Sequence, residues 1–155
     1  MKIRKAVGTD IPELAKMHYD LLHNAYPTRM IAPIEYIYQA VTDWILKDEF
    51  IRVTYDTEIT GFILVRPESA GGLTETILNA EITYVKPQYR NTKAAFTLMY
   101  AGFEFAKECN LGICSTNNSQ SADIVEKRFG AVKSFTHFET PRDYITDINK
   151  QNNKD

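Results

Sequence analysis

The residues whose types and spacing could do chemistry together lie between Glu81 and Ala95, in the run Glu81-Ile82-Thr83-Tyr84-Val85-Lys86-Pro87-Gln88-Tyr89-Arg90-Asn91-Thr92-Lys93-Ala94-Ala95. An apolar-rich segment ends at Pro87, a basic polar turn follows, and a long amphipathic segment begins. The first N–H groups of a helix have no intrahelical partners, and they sit at the positive end of its dipole. A strand–turn–helix junction of this kind can therefore hold a pyrophosphate. Arg90 and Lys93 add positive charge there, and the small side chains of Ala94 and Ala95 leave the approach unobstructed.

The elements that must position this junction follow from periodicity. Ile3 to Val7 reads as a first strand, broken by Gly8-Thr9-Asp10. Asp10 is suited to cap a helix, with Glu13 completing a capping box and Pro12 tolerated in the first turn. Ile11, Leu14, Met17, Leu21 and Leu22 give that helix a buried face before Pro27. A second helix opens at Ala32-Pro33, with Pro33 at its first position and Ile34, Ile37, Tyr38, Val41 and Ile45 as its stripe. Phe50 to Tyr55 and Ile59 to Arg66 read as an antiparallel hairpin, the second strand too apolar to be solvated on both faces. A loop spans 67–76, and Ile77 to Val85 is the next strand. Asn91 to Cys109 is the longest helix, stopped by Asn110-Leu111-Gly112. A short strand from Ile113 to Thr116, a helix from Ser121 to Phe129 and a last strand from Ala131 to Glu139 complete the pattern.

The order β-α-α-β-β-β-α-β-α-β predicts an α/β (α+β) fold, a mixed central sheet of six to seven strands with helices on both faces. No linker or repeat divides it, so residues 1–148 read as one domain and 149–155 as a polar tail. With 18 basic and 20 acidic side chains in 155 residues, the chain lacks the basic excess of a nucleic-acid binder. No apolar run approaches the ~20 residues of a membrane span, and the basic start has no apolar segment behind it. Cys109 and Cys114 are not a CxxC pair, and His18, His23 and His137 lack metal-ligand spacing, so no metal site is expected. The expected location is the cytoplasm.

The stretch Tyr84-Val85-x-Pro87-x-Tyr89-Arg90, followed by a small-residue helix start, resembles the acetyl-CoA-binding motif of the GNAT acetyltransferase superfamily. The family turn Gln/Arg-x-x-Gly-x-Gly/Ala is matched here at Arg90 and Ala95, with Lys93 in place of the middle glycine. The segment Ile3-Arg4-Lys5-Ala6 with Asp10-Ile11 is similar to the family's opening strand and helix cap, and the element order is similar over Lys2 to Glu139. Ala122 to Ala131 resembles a downstream family motif: Ala122 and Gly130 fit, the motif's asparagine falls on Ser119 beside Asn118, and its tyrosine falls on Glu126. Small, divergent GNAT-like proteins of bacteriophages look similar in this respect.

The resemblance implies a GNAT-like fold and acetyl-CoA as acyl donor. The cofactor-binding residues would be Tyr84, Val85, Arg90, Asn91, Thr92, Lys93, Ala94, Ala95 and Asn118, with the backbone of Tyr84 and Val85 aligning the pantetheine arm. The reaction it implies is attack of a substrate amine on the thioester. Such an amine, with a pKa of roughly 10.4, is mostly protonated at neutral pH, so a base must take its proton. Glu81 is the candidate. It stands four residues before Val85, so unbroken alternation puts both on one strand face. An ionised Glu126 has no proton to give, which leaves Tyr84, Tyr89 or solvent to protonate the leaving thiolate. His18 and His23 fall where the family builds its acceptor wall. The acceptor would be an amine of a small molecule or a protein, and a homodimer is left open. The alternative is a non-catalytic GNAT-like binding or structural protein, such as a phage virion component, which Lys93 and Glu126 would suit.

Overall fold

The computed structural model describes residues 1–68 and 76–115. The chain divides between Thr116 and Asn117, and the fold set out here belongs to the unit before that division. The helix expected at 121–129, the strand at 131–139, Asn118, Glu126 and the tail all lie outside the described residues.

The described elements are β1 (Lys2–Lys5), α1 (Ile11–Ala25), α2 (Ile34–Leu46), β2 (Phe50–Tyr55), β3 (Ile59–Glu68), β4 (Ile77–Val85), α3 (Ala94–Cys109) and β5 (Ile113–Ser115). Short 3-10 turns at Gly8–Asp10 and Pro87–Tyr89 precede α1 and α3. The strands form one sheet in the order β1-β2-β3-β4-β5. The first three pairings are antiparallel and the last is parallel. The fold is thus the expected mixed α/β one, with five strands rather than six or seven among the described residues.

Strand β3 is central, and its alternation divides the core. Phe62 and Leu64 join Leu14, Met17, Ile37 and Val41 on the α1/α2 face. Ile63 and Val65 join Leu98 and Ala106 on the α3 face. A strand covered on both faces must be apolar throughout, and Thr60 to Val65 are all buried. Helices therefore cover both faces of the sheet, as the element order predicts.

Several local expectations are corrected. Asp10 stands at the N-cap position of α1, as expected, but its side chain makes no capping bond to the helix. Its carboxylate accepts the Val7 N–H at 2.9 Å and both arms of the Arg4 guanidinium at 2.6 and 2.9 Å, tying β1 to the turn before α1. Burial acts to raise the Asp10 pKa, but the bonds from Arg4 and Val7 outweigh it and hold it below its ordinary value. Pro33 is the N-cap of α2 rather than its first residue. Ile34 and Tyr38 of the expected stripe are exposed, while Trp44 joins Ile37, Val41 and Ile45 on the packed face. Pro67 lies within β3 rather than in the loop. Helix α3 begins at Ala94 instead of Asn91, because the chain first makes the Pro87–Tyr89 turn.

Candidate functional site

Strand β4 carries a bulge. Leu64 pairs with Ile82 and Val65 with Ala80, so Glu81 is the extra residue. Its effect is to exchange faces. Leu78 and Ala80 pack on the α3 side, while Ile82 and Tyr84 pack on the α1/α2 side. Val85 belongs to the α3 side, whereas Glu81 bonds Arg66, which alternation places on the face opposite its α3-facing neighbour Val65. The expectation that Glu81 and Val85 share a face is therefore corrected: the bulge interrupts the alternation on which it rested.

Among the described residues, β4 pairs with β5 from Leu78–Ile113 to Ala80–Ser115. From Glu81 to Val85 the outer edge of β4 has no strand partner among the described residues. An unpaired edge offers a row of backbone donors and acceptors to an extended, amide-containing ligand.

That edge runs directly into the basic turn. The Lys86 N–H bonds the Thr60 carbonyl at 2.9 Å, which holds the start of the turn against β3. Thr92 Oγ1 donates to the Tyr89 carbonyl at 2.7 Å and accepts the Ala94 N–H at 3.2 Å, acting as a cap one residue early. The N–H groups of Asn91, Lys93 and Ala95 have no acceptor among the described residues. Asn91, Thr92 and Lys93 are exposed. Lys93 has φ of −72°, an ordinary right-handed value that needs no glycine. Arg90 Nε donates to the Val85 carbonyl at 3.3 Å. Ala94 is fully buried against the sheet and Ala95 half-buried, so the small side chains there serve packing. Arg90, Asn91, Thr92, Lys93, Ala94 and Ala95 thus form the turn and first helical residues that follow Tyr84 and Val85.

Tyr84 is buried on the α1/α2 side and lines a cleft of about 330 Å³ with Glu13, Lys16, Asp20, Lys86 and Gln88. Burial, reinforced by Asp20, raises its pKa, against the opposing effects of Arg90 and Lys86. The phenol therefore keeps its proton at neutral pH. Tyr89 is differently engaged, its hydroxyl donating to Glu58 at 3.0 Å. Lys86 sits between Glu13 at 2.7 Å and Glu58 at 2.5 Å, anchoring the turn to α1 and to the β2–β3 connection. Burial lowers the Lys86 pKa, but the two carboxylates outweigh it and raise it overall.

Glu81 is paired with Arg66 of β3, whose Nε donates to it at 2.6 Å. The two line a cleft of about 410 Å³ with Glu49, Glu68 and Asn79. His18 packs edge-on against Trp44 of α2, centroids 5.3 Å apart at 69°. Its pKa is lowered by burial, with Glu81 opposing. His23 is exposed, its Nδ1 3.0 Å from the Tyr19 carbonyl oxygen.

Sequence reasoning missed Arg66, Lys86, Glu13 and Glu58. Their contacts span distant segments, and no local pattern announces them.

The description Acetyltransferase (GNAT) family fits this chain over residues 15–131. No curated protein matches it. Among solved structures, a predicted acetyltransferase with acetyl-CoA from Clostridium acetobutylicum is similar at a TM-score of 0.73 and 16% identity, over 90% of this chain and 95% of that one. An aminoglycoside N-acetyltransferase in complex with CoA aligns at a TM-score of 0.66 and 15% identity, over 91% and 94%. A transcriptional regulator from Bacillus halodurans aligns at 0.68 and 20%, over 90% and 98%. At these identities the likeness is one of fold.

Proposed function

The chain belongs to the GNAT acetyltransferase family, and we propose that it transfers an acetyl group from acetyl-CoA to an amine of a small molecule or a protein. The observation that carries this reading is the turn before α3, where Arg90 and Lys93 stand beside N–H groups that have no acceptor among the described residues, at the end of a β4 segment with no strand partner among them. The residues fit the donor. The edge from Glu81 to Val85 suits the amide-bearing pantetheine arm. The N–H groups of Asn91, Lys93 and Ala95, with the charges of Arg90 and Lys93 and the dipole of the 16-residue α3, suit the pyrophosphate. Asn118 is proposed as a further contact. When bound, acetyl-CoA supplies an activated acyl carbon.

The chain's own groups then manage protons. Glu81, the bulge residue of β4, takes the proton that the acceptor ammonium must lose. Tyr84 holds a proton it can give, whereas Tyr89 is committed to Glu58. The right-handed φ of Lys93 weakens the case for a non-catalytic protein, because a lysine fits this turn without strain. The reading is tested by measuring release of free CoA from acetyl-CoA with a panel of primary amines. Amine-dependent release is expected, and the Lys93→Glu change should weaken acetyl-CoA binding. If that change leaves affinity untouched, the pyrophosphate assignment is wrong.

A further inference from the structure

Arg66 of β3 and Glu81 of β4 line the same 410 Å³ cleft and touch within it. Arg66 Nε donates to Glu81 Oε2 at 2.6 Å, and Nη2 pairs with that same oxygen. Two guanidinium nitrogens thus converge on Oε2, while Oε1 accepts no hydrogen bond from a described residue. Glu49 and Glu68 line the cleft as well, yet among the described residues Arg66 pairs with neither. As the extra residue of a bulge, Glu81 lacks the direction that a ladder pair gives, and Arg66 supplies one. Both side chains are about one-third exposed, at 34% and 37%. An ion pair so exposed adds little to stability, so its effect is on where the carboxylate points.

We propose that Arg66 is a positioning residue for acetyl transfer: it holds Glu81 by one oxygen and leaves the other, Oε1, to take the proton of the acceptor amine. This rests on the acetyltransferase reading above, with Glu81 as the base. The ammonium N–H bond breaks toward Oε1. The amine keeps the electron pair for the thioester carbon, and the proton later leaves Glu81 for solvent. Without the guanidinium, an exposed carboxylate turns among its rotamers. A misplacement of about 1 Å is enough to cost about 10²-fold in rate. Arg66 acts through Glu81 and does not itself touch the amine.

A double-mutant cycle tests the assignment, with acetyl transfer followed to the fastest amine among spermidine, lysine and a lysine-containing peptide. Glu81→Gln should lower kcat by about 10²-fold. Arg66→Gln should lower it by about 10-fold, leave KM for acetyl-CoA unchanged and barely move the urea midpoint. Arg66→Lys keeps the charge and a donor, and should recover part of kcat. In the Glu81→Gln chain, Arg66→Gln should have no further effect. A kcat untouched by Arg66→Gln, or lowered by the same factor in both backgrounds, overturns the positioning role and leaves the acetyltransferase reading standing. A Glu81→Gln chain with wild-type kcat overturns it too, by removing the base that Arg66 would hold. Failure of the reading itself is visible separately: a wild-type chain that binds no acetyl-CoA in calorimetry, or releases no CoA with any amine, removes both. Should Arg66→Gln not fold, Arg66→Lys carries the same cycle with a smaller expected loss.

Discussion

Gly61 of β3 offers the sharpest test of how packing supports the site. A Cβ added there would lie 2.6 Å from the Tyr84 carbonyl oxygen, 3.1 Å from Val85 Cγ2 and 3.2 Å from Leu98 Cδ1. Carbon–oxygen contacts are normally about 3.3 Å or longer, so Gly61→Ala must drive the strands apart by roughly 0.7 Å. The opposing atom is backbone and cannot rotate away. Overpacking of this kind costs about 1–3 kcal/mol, and the loss of unfolded-state freedom returns about 0.4–1 kcal/mol. The net expectation is roughly 1–2 kcal/mol, a factor of about 5–30 in the folded-to-unfolded ratio. Urea unfolding with an unchanged m-value measures it. Because the displaced atoms belong to Tyr84 and Val85, acetyl-CoA affinity should fall as well. Gly102→Ala is the control. Its Cβ meets the tip of Ile63 at 3.2 Å and that of Ile113 at 3.5 Å. Those tips can shift, and alanine in a helix gains about 0.5–1 kcal/mol. A Gly61→Ala chain as stable as wild type, or a Gly102→Ala chain less stable than Gly61→Ala, would refute the reasoning.

Three other outcomes are expected. Asp10→Asn should cost about 1.5–3 kcal/mol, the range for hydrogen bonds to charged groups, toward the lower end because Arg4 is partly exposed. The Asp10 pKa is lowered in the folded chain, so its contribution is present above ~3.9 and lost as pH falls through the folded value; acid unfolding of wild type and Asp10→Asn should show the difference. The His18 pKa is lowered by burial, so the unfolded chain binds its proton first and stability falls as pH drops below ~6.5; His18→Gln should flatten that part of the profile in urea titrations at stepped pH. Thr92→Val removes the oxygen that caps Ala94 and should cost about 1 kcal/mol by thermal unfolding; an unchanged midpoint contradicts the cap.

Much of the described fold was legible because local rules and tertiary packing agree there. The β2 range and the start of β3 follow from a hairpin whose second strand is buried on both faces. The start of α3 was misread by three residues, since Pro87 and the Thr92 cap build a turn from residues that helical propensity alone accepts. The bulge at Glu81 was hidden for a deeper reason. Leu78, Ala80, Ile82 and Tyr84 alternate without a break in sequence, yet they serve two faces, and only pairing with β3 inserts the extra residue. The turn residues from Arg90 to Ala95 could be proposed from sequence because they are contiguous. Lys86 with Glu13 and Glu58, and Glu81 with Arg66, are set by topology and leave no trace in spacing.

The central claim is that the end of β4 and the turn before α3 bind acetyl-CoA. Calorimetric titration of the purified chain with acetyl-CoA tests it most directly. The account predicts micromolar binding at one site per chain, weakened by Lys93→Glu. No heat of binding at millimolar acetyl-CoA would contradict it.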